Sequence, residues 1–398
     1  MKLFKSLFCI SFCISILTIF FSGRALADEV WTGNMVIGVS VYDAGDEEAM
    51  EFRQYLENYI GGSFDVEFLF NVDPIDSAED EIAFIEELHE QGAQGVISFL
   101  TTYVEDVLPL CEEYGMYYIC ASGTIGDEVY ERVKDNPCFL GTIGPSGEEE
   151  KEAGEWLAAS MAAGDTDENY SYLVVTGGSA VGNEMHRLRA VGILSKLQEI
   201  YGLSYDMSAE ELAQCGELTE IGTGSDVRIT LLPGYLSEGT EVSETVRAGD
   251  YDAVLSSLTI GEAVNQISEI EREEGHNIRI GVVDCFTDEN SAYFNASDVN
   301  GDAKLKLLVG KYGAVVAPAF AAMYNACSGY AEDFRDDGSA FRLYQSYWYA
   351  SDTEEFNELY AFSIGMYENV YSAADMIQVL KAYSPETDFE QFREFAQK

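Results

Sequence analysis

Short apolar runs alternate with amphipathic stretches along almost the whole chain. The run over 35–42, Met-Val-Ile-Gly-Val-Ser-Val-Tyr, is rich in β-branched residues and bounded by polar ones, the pattern of a strand buried on both faces. Residues 46–59 then bring Met50, Phe52, Tyr55, Leu56 and Tyr59 close to helical spacing, and Gly61-Gly62 ends the segment. The same alternation predicts further strands over 66–70, 95–99 and 116–121. Between them lie a helix capped by Ser77 that carries Ile82, Ile85 and Leu88, and another over 103–114.

The stretch 138–150, Cys-Phe-Leu-Gly-Thr-Ile-Gly-Pro-Ser-Gly-Glu-Glu-Glu, closes this series. It reads as a short strand, a break at Gly144-Pro145 and the acidic first turn of a helix over 147–161, where carboxylates suit the positive end of the helix dipole. The alternation then restarts. Strands are expected over 170–176, 228–232, 253–257, 278–284 and 314–317, with helices over 183–201, 238–248, 260–273 and 302–311 and a polar insertion over 203–225. Beyond Phe320 come helices and the aromatic run 341–349, expected as one strand crossing back through the joint, then Tyr- and Met-rich helices such as 364–382 over an outer face. Alternation this regular means right-handed βαβ units. The fold class expected is α/β, two doubly wound parallel-sheet lobes joined by a multi-strand hinge. The lobes are expected over 28–143 with about 319–340, and over 144–318, with 341–398 as crossover strand and C-terminal helices.

Composition narrows this picture. A chain of 398 residues, 47% hydrophobic and 13% aromatic, can build two packed cores. The first residues read as an export signal: Lys2 and Lys5, an apolar run over 7–21, and the small-residue pattern Ala25-Leu26-Ala27, with the mature chain starting near Asp28. An uncleaved membrane anchor is the alternative, since 3–23 would nearly span a bilayer. Loss of residues 1–27 would remove three of the 22 basic residues and none of the 71 acidic ones, from a chain whose formal charge is already −49. Such a surface repels nucleic acid and anionic lipid, so neither is an expected partner. The cysteines beyond residue 27 (111, 120, 138, 215, 285 and 327) have no paired Cys-x-x-Cys spacing, which argues against zinc, and they are expected to be mostly reduced.

In open parallel sheets ligands bind beyond the carboxyl ends of the strands. The residues there include Tyr42-Asp43, Ser98 to Thr101, Ser122, Thr142, Gly177-Gly178, Ser256-Ser257, Asp284 and Pro318. Arg189-Ala-Val-Gly192-Ile193 resembles an Arg-x-x-Gly-Phe motif, and Val282-Val283-Asp284-Cys285-Phe286 occupies the slot of a Gly-Phe-Asp-Gly motif. On these residues the chain resembles the type I, sugar-type periplasmic-binding-protein family, the solute receptors of ABC importers. The resemblance implies a non-enzymatic protein, exported to the periplasmic or extracellular face of the membrane. It implies a monomer that binds a small polar ligand, a sugar or related metabolite, by hinge closure at 142–146 and two later crossovers, and delivers it to an ABC permease or a membrane sensor. It also implies a ligand set of Tyr42, Asp43, Thr101, Ser122, Arg189, Ser257 and Asp284, with Tyr42 stacking, Arg189 reaching the ligand and Asp284 accepting hydroxyl protons. Where ribose-type members carry Asp-Arg and Asn-Asp, this chain has Ala121-Ser122 and Leu255-Ser256, which suits a ligand with fewer hydroxyls or one held by stacking.

Each residue also has a plainer reading: a surface ion pair for Arg189, a cap for Asp284, core packing for Tyr42 and for Tyr344, Tyr347 and Trp348. A hydrolase or transferase using Asp284 or Cys285 is the enzymatic alternative, and a receptor feeding a signalling kinase is another. No cofactor or metal is expected. The three histidines stand beside no nucleophile motif, Gly177–Gly182 lacks phosphate-loop spacing, and 298–302 imitates a calcium loop but has Ala303 for its glycine and Val309 for its glutamate.

Overall fold

A computed structural model of the chain describes residues 35–163, 170–178, 183–233, 240–365 and 369–398. The expected signal segment lies outside these residues, as does most of 177–182. Two sheets organise the molecule, each with helices on its faces. The first has the order β12-β5-β4-β3-β1-β2 and the second β13-β11-β10-β9-β6-β8-β7.

Lobe 1 is built from β1 (Met35–Ser40), α1 (Glu47–Gln54), β2 (Val66–Phe70), α2 (Ala78–Glu90), β3 (Gly95–Ser98), α3 (Val104–Tyr114), β4 (Tyr117–Ala121), α4 (Asp127–Val133) and β5 (Phe139–Gly144). The chain then passes through α5 (Gly147–Ala162) into lobe 2: β6 (Ser171–Thr176), α6 (Glu184–Tyr201), α7 (Ala209–Leu212), β7 (Thr219–Ile221), β8 (Arg228–Pro233), α8 (Thr240–Ala248), β9 (Ala253–Ser256), α9 (Ala263–Glu274), β10 (Arg279–Phe286), α10 (Asp288–Asn295) and β11 (Leu307–Tyr312). A single 3₁₀ turn, Gly313–Val316, leads to α11 (Ala317–Asn325), which packs back on β3 and β4 of the first sheet. Strand β12 (Phe341–Tyr344) joins the first sheet and β13 (Trp348–Ala350) the second, and α12 (Thr353–Ile364), α13 (Ala373–Val379) and α14 (Phe389–Ala396) complete the chain.

Five strands of each sheet, β1 to β5 in the first and β6, β8, β9, β10 and β11 in the second, repeat one order. In chain sequence within its own half, each reads second, first, third, fourth, fifth, with parallel pairing from β1 to β3 to β4 to β5 and from β8 to β6 to β9 to β10 to β11. The doubly wound α/β architecture with two parallel sheets is thus the one found. Every residue of β5 and of β6 is buried, the polar Thr142, Ser171 and Thr176 included, as in strands covered on both faces. Local sequence sets the helix starts. Asp46 caps α1, Ser77 caps α2, and Ser146 with Glu149 forms a full capping box on α5, so two of the four free N–H groups of that turn are satisfied.

Several expectations are corrected. The helix expected over 302–311 and the strand over 314–317 give way to strand β11 at Leu307–Tyr312, followed by the 3₁₀ turn. Leu307–Gly310 is buried throughout and hydrogen-bonded between β10 and β13, so an apolar run without alternation imitated a helix. The helix lies earlier, at Asp288–Asn295, where Thr287 Oγ1 accepts from the Asn290 N–H at 3.1 Å. The single strand expected over 341–349 is two strands in different sheets. The insertion over 203–225 contains α7 and β7, the latter an antiparallel edge on β8. Ile364 ends a helix rather than opening one.

Asp298 Oδ1 accepts from the backbone of Asn300 (2.7 Å) and Asp302 (3.0 Å), which accounts for that acidic loop as a turn. All six described cysteines are unpaired, and four of them, Cys111, Cys120, Cys138 and Cys285, are buried. Among the described residues no helix is long and apolar enough to cross a membrane.

Candidate ligand-binding cleft

The chain crosses between the two sheets beyond the carboxyl ends of β5, β11 and β12, and several buried polar groups lie near these crossings. Three crossings are short. At the first, β5 runs into Gly144-Pro145-Ser146, and the chain after β4 folds tightly onto it. Ser122 takes φ +59°, and a Cβ at position 144 would come within 2.2 Å of the Gly123 nitrogen. Only glycine at 144 permits this approach. Ser122 is buried and its Oγ has no hydrogen-bond partner. Thr101, half-buried after β3, brings its methyl group to within 3.0 Å of where a Cβ on Gly123 would stand.

Arg189 lies in a buried ring. Its Nε donates to Glu150 Oε2 (2.6 Å), its Nη2 donates to the Tyr347 hydroxyl (2.6 Å), and that hydroxyl donates to Glu150 Oε1 (2.8 Å). Nη1 donates to the carbonyl of Ser257 at 3.3 Å. Burial works against the Arg189 charge, and Glu150 and Tyr347 more than offset it. The ring joins α5 and α6 to the segment between β12 and β13. Ser257 itself is fully buried just after β9, and its Oγ has no partner.

Asp284 sits inside β10, opposite Gly310 of β11 and two residues short of the strand end. Asn290 Nδ2 donates to its Oδ2 at 2.9 Å. Burial pushes its carboxyl up to about 7, against the pull of Asn290 and Thr259. Beside it, Lys311 Nζ donates to Glu48 Oε1 at 2.9 Å, an ion pair from β11 of lobe 2 to α1 of lobe 1. His186, on the first turn of α6, feels burial first and then the charges of Arg189 and Lys311, which together hold it down to about 3. It therefore stays a neutral imidazole, and its Nδ1 is buried without a partner.

Of the seven residues expected from sequence, the structure links Arg189 to Ser257 directly and sets Thr101 beside the Ser122-Gly123 turn. Asp284 belongs to the polar web of Thr259, Asn290, Glu48 and Lys311. Tyr42 and Asp43 stand on the loop after β1, both exposed, the Tyr42 hydroxyl bonded to Asp76 and Asp43 Oδ1 accepting from Gly45 N–H at 2.8 Å. Glu150, Lys311, Glu48 and Asn290 were not singled out, Tyr347 was read as core packing, and His186 was set aside as a histidine beside no nucleophile motif. The presence of 71 acidic residues hides which one answers a buried arginine, and a helical histidine gives no local sign that its partner is missing. Cys285 is fully buried and its thiol is pushed far up by burial, the state of an inert cysteine and not of a nucleophile.

The fold is that of type I periplasmic solute-binding proteins. A solute-binding protein from Actinobacillus succinogenes 130z with bound D-allose matches 81% of this chain and 99% of its own, at 12% identity and TM-score 0.59. A periplasmic sugar-binding protein from Pseudomonas fluorescens matches 83% and 90%, at 13% identity and TM-score 0.59. A carbohydrate transporter from Acidothermus cellulolyticus 11B in complex with myo-inositol matches 83% and 98%, at 15% identity and TM-score 0.55. No family model matches the sequence, and no curated protein matches it. The likeness is therefore one of fold.

Proposed function

We propose that the chain is an exported solute-binding protein that captures a small, uncharged polar molecule at the carboxyl edges of its two sheets and delivers it to an ABC-type permease. One observation carries the reading of the ligand. The fixed cations near this edge are answered within the protein, Arg189 by Glu150 and Lys311 by Glu48, and the buried atoms left without partners there include the neutral Ser122 Oγ, Ser257 Oγ and His186 Nδ1. A buried donor or acceptor without a partner costs about 1–3 kcal/mol, a debt that hydroxyl or carbonyl groups of a bound solute would cancel. A charged ligand would find its counter-charge already engaged.

Tyr42, Asp43, Thr101 and Asp284 complete the proposed ligand set, and the protein performs no covalent chemistry. The named ligands of the structural neighbours, allose and inositol, are polyhydroxylated and uncharged, which agrees with this class. The test is thermal denaturation of the mature protein against a panel of neutral sugars, cyclitols and nucleosides beside charged amino acids and polyamines. A true ligand at a hundred times its Kd adds about 2.7 kcal/mol and raises the midpoint. Stabilisation by charged members alone would overturn the ligand class, and no stabilisation by any member would overturn solute binding.

A further inference from the structure

The chain crosses between the lobes a fourth time. After β13 it stays on lobe 2, where α12 is seated by Phe356, stacked on Phe294 at 4.4 Å and on Phe286 at 5.0 Å, and by paired bonds of 3.0 Å between Asn357 and Asn295. From Asn369 onward it belongs to lobe 1. Ala373 N–H donates to the Tyr59 hydroxyl (3.1 Å), Asn325 of α11 bonds the Val379 carbonyl (2.9 Å) and the Lys381 N–H (2.8 Å), and Phe392 packs on Phe341 and Phe334.

Two side chains of this segment touch both lobes. The Tyr360 hydroxyl lies 2.9 Å from Glu51 Oε1 on α1 and 2.9 Å from Asp288 Oδ1 on α10. Asn369 donates through Nδ2 to the carbonyls of Ser363 (2.9 Å) and Gly365 (3.2 Å), at the end of the helix held by lobe 2. Its Oδ1 accepts from the Tyr55 hydroxyl of lobe 1 at 3.2 Å and from Tyr371 N–H at 2.9 Å. Tyr371 carries the link into the older crossings: Gln345 Nε2 donates both to its hydroxyl (3.1 Å) and to the Val315 carbonyl (3.2 Å).

We infer that residues 353–365 and 369–396 form a strap across the joint, which resists rotation of one lobe away from the other and biases the protein toward the arrangement this structure shows. Any rotation of lobe 2 away from lobe 1 carries α12 with one and α13 and α14 with the other. It must therefore break or stretch the bonds of Tyr360 and Asn369. Both residues are buried, so the loosened groups would not meet bulk water at once and the bonds keep their full strength.

The experiment measures interlobe distance in the ligand-free full chain, with spin labels on Glu113→Cys in lobe 1 and Glu274→Cys in lobe 2 and with Cys215 and Cys327 replaced by serine. Tyr360→Phe, which keeps the ring and removes only the hydroxyl, and Asn369→Ala are compared with the parent. Loss of one hydrogen bond that exists only in the arrangement this structure shows shifts the balance away from it about fivefold. The open population should rise by that factor in Tyr360→Phe and further in Asn369→Ala. Should Asn369→Ala not fold, Tyr360→Phe alone gives the reading. A distance distribution unchanged in every folded variant overturns the strap. The measurement needs no ligand, so its result stands apart from that of the panel.

Discussion

The two lobes share one strand order yet bury their most costly polar group in different ways. Lobe 1 encloses Glu81, whose Oε1 accepts from the Ser98 hydroxyl (2.8 Å) and the Tyr118 hydroxyl (3.0 Å), and burial pushes its carboxyl upward. Lobe 2 encloses Arg189 and answers it with a carboxylate. Burial favours the protonated form of such an acid while hydroxyls that donate to it favour the charged one, whereas a guanidinium cannot give its proton up and must be paired. The first leaves lobe 1 with a carboxyl whose titration is shifted upward by burial. The second ties lobe 2 to the crossing segment that supplies Tyr347.

The edges differ too. The first sheet ends in the parallel strand β12, while antiparallel β7 and β13 close both sides of the second. The shared strand order therefore leaves room for distinct joints, and the joint is where these two lobes diverge.

The largest expected effect lies in the ladder of lobe 2. A Cβ at position 310 would stand 1.4 Å from the Asp284 carbonyl oxygen, so Gly310→Ala should cost more than about 4 kcal/mol or prevent lobe 2 from folding, read by denaturant unfolding. A variant with normal stability would show that β10 and β11 are not paired in this register.

Next, Arg189→Met should cost about 3–5 kcal/mol, because Glu150 is left buried without its partner, and adding Glu150→Gln should restore part of the loss. A loss below 1 kcal/mol would remove the contrast between the lobes.

The pH dependence is a smaller effect. Glu81 has its folded-state value raised, as do Glu271 and Asp284, both to about 7. Their stabilisation is complete below the unfolded carboxyl values near 4 and is lost as pH rises through the folded values, for the latter two through about 7. Thermal midpoints should therefore fall from pH 5 to pH 8. Glu81→Gln should flatten lobe 1's share of that fall and Asp284→Asn should flatten lobe 2's. A midpoint that rises over this range would contradict the assignment.

The smallest change in stability is expected from Ser257→Ala. It removes an unpartnered hydroxyl and should alter the midpoint of the free protein by less than about 0.5 kcal/mol while weakening solute binding about tenfold. Unchanged binding would take Ser257 out of the ligand set.

Periodicity and caps made most of the fold legible. The β-branched runs, the cap at Ser77 and the Gly144-Pro145 break all act over a few residues, and the structure places elements where they point. The errors fell where neighbouring strands decided the outcome, as at 302–317 and 341–349. There an apolar stretch gains its identity from what lies on either side of it in the sheet.

The site divides along the same line. The chain order alone indicated residues that follow the strands, Ser122 and Ser257, whereas Asp284, expected at a strand end, lies inside β10. Chain order could not indicate that Arg189 would close a ring with Glu150 and Tyr347, residues 39 and 158 positions away. Nor could it indicate that Asn369 would pin helix α12 to Tyr55. Helix and strand preferences are summed over near neighbours and are written in the sequence. The pairing of a buried charge and the tethering of two lobes depend on which distant groups burial forces together, and only the packed structure decides that.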